Sequence, residues 1–122
     1  MSLKDQIIIS EKSLHKHVMN NEVEELIPFI DDEFIVLSGR GVKFNKLEVL
    51  DVITRETGLR VTTGSQSFEF REISTDVVQL CYKGWMDYGN DKKTYSLRTS
   101  IWKKNLTGWK IIFHQGTPCK PF

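Results

Sequence analysis

The chain is poor in cysteine and has almost no excess charge. Only Cys81 and Cys119 occur among 122 residues, and they do not have the spacing of a metal site. We therefore expect two free thiols, no metal and no cofactor. Seventeen basic residues stand against sixteen acidic residues, which gives a net charge of +1. We expect neither nucleic acid nor an anionic membrane as a partner, because no long-range field would attract them.

Long apolar runs are also missing. No run approaches 18 apolar residues, so no membrane span is expected. Polar residues from Asp5 to Glu11 interrupt the region where a secretory signal would be apolar. We therefore expect a cytoplasmic protein. The hydrophobic content of 39% is that of an ordinary globular chain, and the length predicts a single domain over 1–122.

The first half of the sequence has helical periodicity. A first helix is predicted from about Lys4 to Met19. Asn21 and Glu24 have the spacing of a capping box for a second, short helix. Asn45 and Glu48 have the same spacing for a third helix, which Gly58 would end. The apolar stripe predicted for the first helix comprises Ile7, Ile8, Leu14 and Val18, with His15 at its edge.

The period changes from helical to two after Arg60, following one earlier strand at 33–38. Four strands are predicted at about 60–73, 77–88, 94–104 and 109–117, with turns rich in Gly, Asn and Asp between the later ones. Helices followed by an antiparallel meander predict an α+β fold. In this fold three N-terminal helices pack on a strongly curved, mostly antiparallel sheet and leave a conical cavity.

The loop at 105–108 fixes the predicted pairing of the last two strands. With Lys104 opposite Trp109, Ser100 would pair with Phe113 and Arg98 with Gln115. A one-residue error in the loop would re-pair the two faces. The face opposite Arg98 is still partly apolar, so we expect a helix or a partner subunit to cover it, which favours a homodimer. That second face carries Leu97, Thr99, Ile101, Ile112 and His114, with Trp85 from the neighbouring strand.

Several short motifs resemble one group of proteins. They are Ser38-Gly39-Arg40 after a Phe34 strand, Tyr82-Lys83, Arg98-x-Ser100-x-Trp102, and Trp109 followed by the run from Phe113 to Pro118. The chain resembles the nuclear transport factor 2-like superfamily, which includes ketosteroid isomerase and the SnoaL-like polyketide cyclases. Within it the chain looks most like the branch called domain of unknown function 4440. The resemblance implies the conical α+β fold and commonly a homodimer. It implies no reaction, since members include enzymes, binding modules and scaffolding domains.

Arg98 is the centre of the candidate ligand pocket. Its guanidinium offers five donors in a fixed fork, which suits a carboxylate or enolate oxygen. Tyr82 and Gln115 would complete a polar end, and aromatic side chains would form an apolar wall. In the alternative reading, Arg98 pairs with an internal acid such as Glu11 or Asp32, and the aromatics are only core. The candidate ligand-binding residues are Arg98, Tyr82, Trp102, Trp109, Gln115, Ser100 and Phe113.

No catalytic residue is assigned. His15 and His114 are of the right type for acid–base chemistry, but the predicted register places His114 on the face away from Arg98. The last three strands offer no inward carboxylate base, and Ser100 has no evident His–Asp partner. Three functions stay open. They are the binding of a small anionic or ring-containing molecule, an isomerase, cyclase or dehydratase of the SnoaL or ketosteroid isomerase kind, and a toxin-immunity or scaffolding interaction module.

Overall fold

The computed structural model describes residues 1–55 and 61–122. They form helices at one end of the chain and a sheet at the other, which confirms the predicted α+β class. In chain order the elements are α1 (Leu3–Met19), α2 (Val23–Leu26), a 3₁₀ turn (Ile27–Phe29), β1 (Ile30–Leu37), β2 (Lys43–Asn45), α3 (Lys46–Arg55), β3 (Thr62–Ser74), β4 (Val77–Asp87), β5 (Lys93–Asn105) and β6 (Gly108–Pro118).

The strands form one curled sheet in the order β2-β1-β6-β5-β4-β3. The β3–β4–β5–β6 meander is antiparallel, as predicted, and β1 lies parallel to β6. Strand β1 begins at Ile30, three residues before the predicted start, and the short edge strand β2 was not expected. Among the described residues, no helix is long and apolar enough to cross a membrane.

Helix α1 lies across the sheet with one stripe buried. Ser2 caps its start by accepting a hydrogen bond from the backbone N–H of Asp5 at 3.1 Å. Ile7, Glu11 and Leu14 are its buried residues, and their spacing of four and three places them on one face of the helix. The predicted stripe is therefore correct: Ile7 and Leu14 are buried, Ile8 and Val18 pack against the core while partly buried, and an acidic residue lies in the middle of the stripe.

The two predicted capping boxes have different outcomes. Asn21 is not an N-cap, because its backbone is left-handed at φ 55° and its side chain donates to the carbonyl of Ile53 at 2.7 Å. The box at α3 is confirmed: Asn45 Oδ1 accepts from the Glu48 N–H at 2.9 Å, and Glu48 Oε1 accepts from the Asn45 N–H at 3.0 Å. The predicted helix stop at Gly58 lies outside the described residues.

A β-bulge in β6 corrects the predicted register. The strands pair as expected from Lys104–Trp109 to Trp102–Ile111, but the next pair is Ile101 with Phe113, so Ile112 is an extra residue. Beyond the bulge, Ser100 pairs with His114 and Arg98 with Gly116. The predicted pairs Ser100–Phe113 and Arg98–Gln115 are wrong, since one extra residue exchanges the two faces of a strand. His114 therefore shares the inner face with Arg98, and Phe113 and Gln115 lie on the outer face.

A second irregularity shapes the inner face at β3. The register shifts between Gln66 and Glu69, and Ser67 has a left-handed backbone at φ 59°. The shift turns Phe68 inward, where its ring stacks on Tyr82 at 4.8 Å between centroids. Bulges bend a strand and increase its twist, so these two sites contribute to the curl of the sheet. The core lies between this inner face and the helices and comprises Ile7, Leu14, Leu26, Ile30, Phe34, Ile53, Val78, Leu80, Tyr82, Trp102 and Ile111.

We expect Asn45→Ala to lower the free energy of unfolding by about 1 kcal/mol, because it removes the side-chain acceptor at the start of α3. Urea denaturation followed by circular dichroism measures the change. Asn45→Asp is the matched control, since a carboxylate accepts the same bond. An equal loss in both variants would contradict a capping role.

Candidate functional site

A carboxylate is buried at the centre of the inner face. Glu11 is fully buried, and α1 directs it at the residues that alternate along β4 and β5. Its Oε2 atom accepts from the Tyr82 hydroxyl at 2.6 Å and from the Ser100 hydroxyl at 2.9 Å. Its Oε1 atom accepts from the Trp102 indole N–H at 2.9 Å. One helix and two strands thus meet at a single charge.

Two histidines complete this arrangement. His15 Nε2 lies 3.1 Å from Glu11 Oε2 and 2.5 Å from the Tyr82 hydroxyl oxygen. His114 Nδ1 lies 2.7 Å from Ser100 Oγ and 3.7 Å from Glu11 Oε2. We call the six residues Glu11, His15, Tyr82, Ser100, Trp102 and His114 the Glu11 cluster. No group of His, Cys, Asp or Glu in the described part of the chain has a metal-binding arrangement.

The surroundings fix the charge state of the cluster. Burial alone would raise the pKa of Glu11, but hydrogen bonds and charge from His15, with His114 and Tyr82, lower it to about 2. Burial and the Glu11 charge raise the pKa of Tyr82, and Arg98 offsets this only in part. Burial lowers the pKa of His114 to about 4, despite the attraction of Glu11. At neutral pH, Glu11 is therefore ionised, Tyr82 keeps its proton and His114 is neutral.

These states assign the hydrogens of both imidazole rings. The Tyr82 hydroxyl has one hydrogen, which goes to Glu11, so its oxygen accepts from His15 and Nε2 of His15 carries a hydrogen. In the same way Ser100 donates to Glu11 and accepts from the Nδ1 hydrogen of His114. In neutral His15 the lone pair is therefore on Nδ1.

Ser100 is not a nucleophile in this arrangement. Its pairing with His114 resembles the first two members of a hydrolase triad. However, Ser100 is fully buried, and its proton goes to Glu11 rather than to the imidazole. A substrate has no access to such a hydroxyl, and its position is that of a structural donor.

A cleft of about 480 Å³ opens beside the cluster, between the second half of α1 and the starts of β3 and β5. Two lysines, one arginine and His15 line it, and its described lining contains no Asp or Glu. A neighbouring cavity of about 470 Å³ shares Met19, Asn20 and Val61 with it. The described lining of the cleft consists of Lys12, His15, Lys16, Met19, Asn20, Val61, Thr63, Gly64, Ser65 and Arg98.

Arg98 has no acidic partner among residues 1–55 and 61–122. Its Nε donates to Ser96 Oγ at 2.9 Å. The alternative in which Arg98 pairs with Glu11 or Asp32 is wrong: Glu11 is bonded to the cluster, and Asp32 pairs with Lys46 at 3.0 Å. The Arg98 side chain lies across Gly84, where a Cβ would be 2.6 Å from Nε and 2.9 Å from Cζ. Glycine at 84 therefore permits the path of the arginine.

The structure divides the predicted site residues into four groups. Arg98 lines the cleft, whereas Tyr82, Ser100 and Trp102 are buried in the Glu11 cluster. Trp109 packs against the core. Phe113 and Gln115 lie outside the pocket, because the bulge at Ile112 places them on the outer face.

Sequence reasoning missed the central role of Glu11 and the contribution of Lys12 and Lys16 to the cleft. One signal was present: Glu11 follows Ile7 by four residues and precedes Leu14 by three, so it lies inside an apolar helical stripe. An acid at such a position must find buried donors. Helical spacing from Glu11 also places His15 directly above it.

Comparisons with known proteins support the fold. No sequence profile of a protein family matches the chain, and no curated protein matches it. Several solved structures, however, match the fold of the chain. An NTF2-like protein from Cytophaga hutchinsonii is 21% identical, with a TM-score of 0.85 over 98% of this chain and 100% of that one. The CaMKII hub of S. rosetta is 14% identical, with a TM-score of 0.86 over 98% of each chain. A Caulobacter vibrioides protein with a cystatin-like fold is 12% identical, with a TM-score of 0.83 over 96% of this chain and 89% of that one.

The fold is therefore that of nuclear transport factor 2-like proteins, which are also described as cystatin-like. At these identities the likeness concerns the fold and carries no activity with it.

The depressed pKa values of His114 and Glu11 predict how stability depends on pH. Both folded-state pKa values lie below the ordinary ones of 6.5 and 4.5, so the unfolded chain binds protons first. Stability should be full above about pH 6.5, fall by a few kcal/mol as the pH drops towards 4 because of His114, and fall further towards pH 2 because of Glu11. Urea denaturation between pH 3 and 8 measures this dependence.

His114→Asn is the variant that separates the two contributions, because its amide N–H can still donate to Ser100. It should flatten the curve between pH 6.5 and 4 and keep the steeper loss below. An unchanged slope in His114→Asn would show that another group controls that range.

Proposed function

We propose that the cleft binds a small anionic molecule, with the Arg98 guanidinium as its principal contact. The observation that carries the proposal is a guanidinium held in a pocket wall with no carboxylate beside it in the described structure. A charge removed from water is costly unless it is paired. A carboxylate or phosphate would supply that partner through two parallel hydrogen bonds.

The other described lining residues favour the same ligand class. Lys12 and Lys16 lie one helical turn apart on the wall that α1 contributes, and both add positive charge. The carboxylate of Glu11, beside the cleft, is bonded to four donor side chains and lies in the interior. Met19 and Val61 offer a small apolar surface, and about 480 Å³ is within the range of small-molecule sites.

We further propose that the chain belongs to the branch called domain of unknown function 4440. In support, its Arg98-x-Ser100-x-Trp102 motif corresponds to one spatial unit. Ser100 and Trp102 hold the buried carboxylate, while Arg98 projects from the same face into the cleft. The motif therefore combines a structural part and a binding part on alternate positions of one strand.

Arg98→Met tests anion binding. At constant ionic strength, citrate, pyruvate, benzoate and phosphate are screened for a rise in the melting temperature of the wild type. A ligand at 100 times its Kd stabilises by about 2.7 kcal/mol, and we expect this gain to vanish in Arg98→Met. Arg40→Met, at an exposed turn, is the matched control and should keep it.

Gly84→Ala is a second variant that keeps the guanidinium but displaces it from its path, so it should also weaken binding. An equal anion effect in wild type and Arg98→Met would refute the proposal. So would a wild type that no anion stabilises, together with an Arg98→Met variant that melts lower without ligand, because Arg98 would then be structural.

A second candidate function is self-association through the outer sheet face. Leu97 is 52% exposed, and Ile101, Phe113 and Trp85 on the same face are only half-buried. Exposed apolar area of this kind commonly marks an interface. The similar solved structures include CaMKII hub and association domains, which supports a role in assembly on this fold.

Light scattering coupled to size exclusion tests self-association. At micromolar concentration we expect about twice the chain mass of 14.2 kDa, and Leu97→Lys should shift the population to monomer. Leu106→Lys is the matched control, since Leu106 lies fully exposed at the β5–β6 turn. A monomeric wild type across that range would remove this candidate.

A further inference from the structure

His15 stands at the boundary between the Glu11 cluster and the cleft. It lines the cleft, and 21% of its side chain is exposed. Its Nε2 atom is bonded inside the cluster. Its Nδ1 atom makes no hydrogen bond in the described structure. Every buried side-chain nitrogen or oxygen of the described residues has a partner, so Nδ1 is not buried. Nδ1 is therefore open to solvent, and it carries the lone pair of the neutral ring.

Glu11 prepares this nitrogen to take a proton. The ionised carboxylate shares the Nε2 hydrogen with the Tyr82 hydroxyl oxygen, which fixes the tautomer and the ring orientation. It would also stabilise the imidazolium that forms when Nδ1 is protonated, as the aspartate does in a hydrolase triad. His114 is less suited to this role, because it is not among the described lining residues of the cleft and burial lowers its pKa to about 4. Of these two histidines, His15 is the base.

We propose that the Glu11–His15 pair and Arg98 form a proton-transfer site for small 2-oxo carboxylates. The inference rests on the proposed anion binding in the same cleft. The Arg98 fork donates both to the carboxylate and to the carbonyl oxygen beside it, and Lys12 and Lys16 add positive charge. His15 lines the same space, and its Nδ1 is a base that does not compete for the anion. A lone anion site would not need a ring with this fixed tautomer.

The step balances without any further reactant. The lone pair of Nδ1 takes a proton from the carbon next to the carbonyl, and the C–H electron pair becomes the C=C bond of an enolate. The carbonyl π pair moves to the oxygen, where the Arg98 N–H groups stabilise the negative charge. Return of a proton from Nδ1 to carbon restores the ketone. Glu11 keeps its charge throughout and is a positioning residue, whereas His15 is the catalytic one.

The experiment follows exchange of the pyruvate methyl protons for deuterium in D₂O by proton NMR. A positioned general base contributes about 10²- to 10⁴-fold, so wild type should accelerate exchange at least about 100-fold over an equal concentration of free imidazole. His15→Gln should return the rate to that background. His17→Gln, which alters a surface histidine paired with Glu22, is the matched control and should keep the wild-type rate.

A second measurement on the His17→Gln protein does not depend on how His15→Gln folds. Diethylpyrocarbonate should modify one histidine quickly, peptide mapping should locate it at His15, and pyruvate should protect it. A slow or unprotected His15 would overturn the proposal.

The experiments distinguish a failure of the proton-transfer proposal from a failure of the proposed anion binding. If pyruvate raises the melting temperature but its protons exchange at background rate, the proton-transfer site is refuted and anion binding stands. If pyruvate neither binds nor exchanges, the inference fails; if citrate, benzoate and phosphate also give no stabilisation, the proposed anion binding fails with it. Exchange that persists in His15→Gln would assign the chemistry to another group and would also overturn the inference.

Discussion

The buried carboxylate of Glu11 is the constraint that organises this molecule. A charge in an apolar interior costs several kcal/mol unless donors surround it, and here hydrogens from Tyr82, Ser100, Trp102 and His15 do so. Most of these donors are neutral, so the site solvates an ion rather than pairing it with a fixed opposite charge. Because the donors come from α1, β4 and β5, the helix has one position on the sheet in which the charge is satisfied. The contacts that stabilise the ionised carboxylate therefore also fix the register of the helix, its rotation and the wall of the cleft.

The sheet meets this constraint through its irregularities. The bulge at Ile112 exchanges the faces of β6 and brings His114 beside Ser100, and the shift near Ser67 turns Phe68 onto Tyr82. A regular β6 would instead direct the apolar ring of Phe113 at Ser100, where it has no hydrogen to offer. Gly84 acts in the same way, since its missing Cβ lets Arg98 cross the strand towards the cleft. Local departures from ideal strand geometry thus place polar groups on the inner face, whereas regular strands would direct them elsewhere.

Elements that depend on local chemistry could be predicted from the sequence. The apolar period of α1, the Asn45–Glu48 box and the alternation along β4 and β5 each depend on neighbours within a few residues. The bulge could not be predicted, because nothing in Ile111-Ile112-Phe113 marks which isoleucine is the extra one. The position of the bulge decides whether His114 or Phe113 lies beside Glu11, and this is a contact between distant parts of the chain. Arg98, predicted as a pocket residue, does line the cleft, whereas placing the lysines beside it required knowledge of where α1 lies.

The contrast between Glu11 and Arg98 explains why function is expected at the edge of the cluster. Inside, the donors and the carboxylate satisfy one another, so a ligand would gain nothing there and would have to break these bonds. At the edge, Arg98 and Nδ1 of His15 have hydrogen-bonding capacity that the described residues do not use. Hydrogen bonds within the cluster hold the His15 ring, and Ser96 holds the Nε of Arg98, which lowers the entropic cost of ordering these groups when a ligand binds. The contacts that hold the buried carboxylate thereby also position the His15 ring, on which the proposed proton transfer depends.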